Sequence, residues 1–182
     1  MPRLIVLIAV LVIMITGCTG GSMKPIANKS TMTKDEALSR VNELINDSVS
    51  IIEPKPTLEL DPTTLTLYHC LGQVGDNQDG RIYVSRAYYL RGIPKDKDTL
   101  ADVARRVRRH WEQRGHFIQG VSRNGLNIAA RSRPDDFILA LSWTPGDVLL
   151  IEVSSVCVWP NGTPEPTPSS DLDGTSKDRQ TP

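Results

Sequence analysis

At 182 residues, 39% hydrophobic and 23% charged, the chain suits one domain with appendages and is short for two full domains. Its 21 basic residues are offset by 21 acidic ones, which removes any global electrostatic case for binding nucleic acid. With 13 glycines, 13 prolines and three cysteines it is neither collagen-like, nor wholly disordered, nor a disulfide scaffold.

Met1-Pro2-Arg3 is a short positive start, and Leu4 to Ile15 is an almost unbroken apolar run. A run of about a dozen residues falls short of the roughly 18 a spanning helix needs and matches the apolar stretch of a secretory signal. It ends in Ile15-Thr16-Gly17-Cys18, which resembles the lipobox of bacterial lipoproteins. The resemblance implies a diacylglycerol on the Cys18 thiol, cleavage between Gly17 and Cys18, and acylation of the new amine. An uncleaved signal anchor, or cleavage and secretion with Cys18 incidental, are the alternatives. On the lipoprotein reading residues 1–17 are a signal peptide and 18–30 a lipidated tether. The stretch TGGSMKPIANKS from Thr19 to Ser30 lacks an apolar period and spans about 20 Å root-mean-square. The body that follows would lie close to the outer face of the cytoplasmic membrane.

Thr33 followed by Glu36 is a capping-box pattern, and Ala37, Leu38, Val41, Leu44 and Ile45 recur behind it at helical spacing. This predicts a helix over residues 34–49, closed off by Pro54 and Pro56. Two runs rich in β-branched and aromatic residues, 64–74 and 81–93, flank a Gly/Asp/Asn cluster and predict a hairpin. Asp76 and Asp79 in that cluster do not fall at EF-hand positions, so a polar turn is expected. After Pro94, Asp98 or Thr99 can cap a second helix with the stripe Leu100, Val103, Ala104, Val107 and Trp111, and Gly115 suits its end. Four strands follow, over residues 116–121, 126–132, 137–143 and 148–158, with Asn124-Gly125 a hairpin signal. The order α-β-β-α-β-β-β-β predicts an α+β two-layer sandwich over residues 31–160. Its antiparallel sheet has five to six strands, with two helices on one face. Residues 161–182 are Pro/Ser/Thr-rich, carry no apolar period and are expected to be disordered.

Export places Cys70 and Cys157 in a disulfide-permissive compartment, and a bridge between them is expected. Two buried thiols too far apart to join are the alternative. The second helix carries Arg105, Arg106, Arg108, Arg109 and Arg114 against Glu112. Those arginines either touch anionic headgroups or wall polymer, at about 1 kcal/mol each, or form a solvated face of i,i+4 pairs. The aromatics Trp111, Trp143, Tyr68, Tyr83, Tyr88 and Tyr89 either line a pocket on the sheet face left open by the helices or serve as core and rim. Among the histidines, His69 reads as a sheet residue and His110 as a neighbour of the core Trp111. His116 follows a helix end, where positive charge suits the dipole. Gly120-Val121-Ser122-Arg123-Asn124 lacks the second glycine of a nucleophile elbow, and no zinc spacing, P-loop or dinucleotide fingerprint is present. No catalytic residue, metal ligand or cofactor is assigned.

The lipobox, the cysteine strand, Arg81-Ile82-Tyr83-Val84-Ser85, the Arg109-His110-Trp111 helix end and Ser155-Val156-Cys157-Val158-Trp159-Pro160 together resemble the small actinobacterial lipoproteins of the LppA type. The resemblance covers residues 33–160. It implies a two-layer body with a disulfide and no assigned activity. The resulting expectation is a membrane-anchored, extracytoplasmic binding module that is not an enzyme. Its ligand would be a headgroup, a wall polymer or a protein, with Arg105, Arg108, Arg109, Tyr68 and Tyr88 as candidate contacts. The alternatives are an anchored hydrolase with a dispersed site and a structural envelope protein.

Overall fold

The computed structural model describes residues 30–71 and 78–164. The expected signal peptide, Cys18, nearly all of the expected tether, Asp76 and nearly all of the Pro/Ser/Thr-rich tail lie outside the described residues.

Helix α1 spans Lys34–Val49, and its capping box is complete: Glu36 N donates to Thr33 Oγ1 at 3.2 Å and Thr33 N to Glu36 Oε2 at 2.7 Å. Helix α2 spans Lys97–Gln113. Its cap is Asp96, whose carboxylate accepts from Thr99 N at 2.8 Å, and not Asp98 or Thr99 as the sequence suggested. A carboxylate placed three residues before Thr99 reaches that N–H, whereas Asp98 already lies inside the first turn.

The strands are β1 (Thr57–Leu60), β2 (Tyr68–Leu71), β3 (Gln78–Tyr83), β4 (Ser85–Arg91), β5 (Phe117–Val121), β6 (Ile128–Arg131), β7 (Ile138–Thr144) and β8 (Val148–Ser154). Six form an antiparallel sheet in the order β1-β4-β8-β7-β6-β5, and β2 and β3 form a second sheet of two strands. The fold is α+β, with both helices covering one face of the six-stranded sheet. The last four strands form a meander, and α2 carries the chain from β4 to the far edge at β5.

Of four local differences from the sequence reading, three have a local physical cause. The run 81–93 is two strands, because Val84 N donates to Ser155 Oγ at 3.0 Å and Val84 O accepts from Ser155 N. This clamp ends pairing with β2 and starts pairing with β8. Residues 62–65 form a 3₁₀ turn capped by Asp61 with Pro62 at its start, so the strand of the first run begins at Tyr68 and not at residue 64. The edge strand β1 has no counterpart in the sequence reading. The Asn124-Gly125 hairpin is present with its link extended from the expected 122–125 to 122–127: Asn124 Oδ1 accepts from Leu126 N, Ser122 Oγ accepts from Asn127 N, and Gly125 takes φ +73°.

The core is one cluster. Ile128, Ala130, Leu139, Leu141, Leu149, Ile151 and Val153 line the covered sheet face. They meet Ala37, Val41 and Ile45 of α1 and Leu100, Val103, Val107 and Trp111 of α2. Outside this layer, Cys70 and Cys157 are joined in a disulfide with Cα atoms 6.2 Å apart, tying β2 to the segment after β8. The Ile82–Val158 bridge anchors β3 to the same segment. Thr31 N donates to Gly162 O and Trp159 N to Thr31 Oγ1, so residues 31 and 159–162 are held together at one end of the body.

Candidate binding site on the open sheet face

Side chains alternate across a sheet, so each residue paired with a core-facing partner has neighbours facing away from the helices. One outward row runs Phe117, Arg131, Ile138, Ser154, Ser85, and the next runs Ala129, Ala140, Glu152, Ala87. Glu152 therefore rises from the central strand β8 between two alanines, Ala87 and Ala140. The small side chain of Ala140 leaves a depression beside Glu152, whereas Ala87 is buried.

The small sheet and the segment after β8 form the wall. Tyr68 and Tyr83 stack with ring centroids 5.0 Å apart and planes 11° from parallel, and Val156 and Cys157 continue the wall. The resulting trough has a volume of about 660 Å³, lined also by Ser85, Arg131, Ile138 and Glu152. That lies within the roughly 300–1,000 Å³ of small-molecule sites.

Three charged residues line this trough, Glu152, Arg131 and Asp136. Ser85 donates to Glu152 Oε1 at 3.0 Å, and Ser154 donates to Ser85 at 2.9 Å, so a hydroxyl chain fixes the carboxylate. Arg131 donates to the backbone oxygen of Asp136 at 3.3 Å, while the Asp136 carboxylate is taken by Arg133 at 3.1 Å. Neither Glu152 nor Arg131 has an ionic partner among the described residues. Ile138, 43% exposed, lies between them.

The residues singled out from sequence are distributed as follows. Tyr68 lies in the trough wall, its hydroxyl donating to Thr63 O at 3.2 Å. Tyr88 faces the opposite way, packed near Ile45 of α1 and Leu58, because its pairing with Ile151 puts it on the covered face. Trp111 is fully buried in the core, and Trp143 donates its indole N–H to Asp147 at the β7–β8 turn. Tyr89 lies under the Arg91 guanidinium at 4.9 Å. On α2, Arg105 and Arg106 share Asp102, and Arg108 pairs with Glu112 at 2.9 Å. Arg109 has no partner among the described residues, but the helix layer separates all of these arginines from the trough. Glu152, Arg131, Ser85 and Ser154 were not singled out from sequence. The available signal was the alternation Ile151-Glu152-Val153-Ser154, a charge facing away from the core in the middle of a sheet.

A second concavity, between α1, the end of α2 and the β6–β7 turn, has spent its charges internally. Arg40 pairs with Glu43 at 2.8 Å and Asp135 at 2.6 Å, and Asp47 holds both His110, at 2.8 Å, and Arg114. Burial pushes the Asp47 and Asp135 carboxyls up, but hydrogen bonds hold both below the ordinary 3.8: His110 and Arg114 on Asp47, Ser132 and Arg40 on Asp135. A depressed carboxylate stabilises the fold above its unfolded value, and that contribution is lost as pH falls through the folded one. His116 moves the other way from the sequence reading of a favourably charged residue. Burial, then the Arg40 charge, depress it below 6.5, and its Nδ1 accepts from Arg133 N at 3.2 Å. The unfolded state therefore takes up this proton first, so His116 costs stability as pH falls through 6.5.

Comparison with known proteins finds no matching family model, no matching curated protein and no matching solved structure.

Proposed function

We propose that this is a lipid-anchored envelope protein, held at Cys18 on the outer face of the cytoplasmic membrane, whose open sheet face binds a small ligand without transforming it. The observation that carries the binding reading is the trough itself. A carboxylate fixed by hydroxyls lies between two alanines, under a stacked tyrosine wall, in a volume that suits a small molecule. The anchor reading rests on the lipobox and on the likeness to LppA-type lipoproteins. Two or three acyl chains, at about 0.8 kcal/mol per buried CH₂, hold a protein on a membrane essentially permanently.

The test of binding is ligand-observed NMR of the full-length acylated chain against a panel of small amines, acids and aromatics. Binders should contact Tyr68 and Tyr83 and should be lost in Ala140→Phe, which fills the floor beside Glu152. Equal binding to that variant would overturn the assignment of the trough. For the anchor, Cys18→Ser should move the protein from the membrane fraction to the soluble fraction. Retention on the membrane would mean that the apolar run itself is the anchor.

A further inference from the structure

We propose that the trough takes a short zwitterionic peptide, its ammonium on Glu152 and its carboxylate on Arg131; this rests on the reading of the trough as a binding site. Arg133 is matched to Asp136 and Arg91 to Glu59 at 2.7 Å. Among the described residues Arg86, Arg109, Arg123 and Arg131 have no carboxylate partner, and of these Arg131 alone lines the concavity that holds Glu152, whose neighbours are hydroxyls and no cation. A ligand with a single positive charge would satisfy Glu152 but bring a like charge beside Arg131. A simple anion would meet the converse penalty from Glu152. A bipolar ligand satisfies both.

The sheet register fixes the separation. Arg131 is opposite Ile138, Ile138 is opposite Ser154, and Glu152 lies two residues along β8 from Ser154. Two strand spacings of about 4.8 Å and two residues of about 3.4 Å set the Cα atoms about 12 Å apart. Three to four extended residues, at about 3.4 Å each, bridge that distance. Between the charged ends the floor is Ile138 and Ala140 and the wall is the tyrosine pair, surfaces that suit an aliphatic side chain. Arginine's planar fork also suits a terminal carboxylate in bidentate geometry.

The experiment is calorimetric titration of the acylated chain in detergent micelles with the tripeptide alanyl-leucyl-alanine and its N-acetyl, C-amide and doubly blocked forms. The free tripeptide should bind tightest, and each block should weaken it by about tenfold or more. Glu152→Gln should erase the difference between free and acetylated peptide, and Arg131→Gln the difference between acid and amide. Circular dichroism checks that both variants fold. If all four forms bind alike, or only one charge matters, this inference falls while the trough remains a binding site. It falls in the same way if no form binds although the small-molecule panel does. If neither the peptides nor the panel bind, both readings fall.

Discussion

Replacing Cys70 and Cys157 together by serine is expected to lower the unfolding free energy by about 2–4 kcal/mol, with about 4.6 kcal/mol as the ceiling for a loop of this length in the chain-entropy account. The bridge closes a sequence separation of 87 residues, so the unfolded chain regains much freedom when it is cut. The loss should not be evenly spread. A two-stranded sheet is marginal alone, and β2–β3 is joined to the rest chiefly through the disulfide and the Ile82–Val158 bridge. Amide exchange should therefore accelerate most in 68–71 and 78–83, whereas β7 and β8, buried between their neighbours, should keep their protection. Urea unfolding of oxidised, reduced and double-serine protein measures the first effect and hydrogen exchange the second. An unchanged midpoint, or exchange that rises equally in β7 and β8, would show that the bridge neither stabilises the fold nor holds the trough wall. The same variant should weaken any ligand that leans on Tyr68 and Tyr83, because that wall hangs on the cysteine pair.

What could be read from the sequence was whatever local chemistry decides. Thr33 and Glu36 announce the start of α1 because both cap partners lie within four residues, and Gly115 marks the end of α2 with φ +79°. The alternation of Ile128 and Ala130 with Ala129 and Arg131 fixes which face of β6 is buried. The partition of 81–93 into two sheets was not legible, since it depends on Ser155, 71 residues away, taking the Val84 amide. Nor was the trough. It exists because Ser85, Ala140 and Glu152 come from three strands whose register is known only once they pair. Tyr88 illustrates the same limit: whether a tyrosine on β4 faces the trough or α1 turns on a single residue of register. The charged face of α2 was legible in composition but not in consequence, because Asp102 and Glu112 absorb Arg105, Arg106 and Arg108.

Trp111→Ala is expected to cost about 3–5 kcal/mol, a large share of the roughly 5–15 kcal/mol that stabilises a domain of this kind. The indole is fully buried where α2 meets α1, so its removal leaves a large cavity between the helices. It also carries a polar connection through the core. Trp111 Nε1 donates to Ser48 Oγ at 2.8 Å, and Ser48 donates to Leu44 O at 2.6 Å. Ser48→Ala leaves the indole N–H buried without an acceptor, for about 1–3 kcal/mol. In a Trp111→Phe background that donor is gone, so the serine substitution should cost distinctly less. A double-mutant cycle by urea unfolding at constant m isolates the difference as coupling of at least about 0.5 kcal/mol. Additive costs would mean the bond contributes nothing beyond packing. A cost below about 1 kcal/mol for Trp111→Ala would mean the two helices are held by their aliphatic contacts and by the Asp47 clamp on His110 and Arg114 instead.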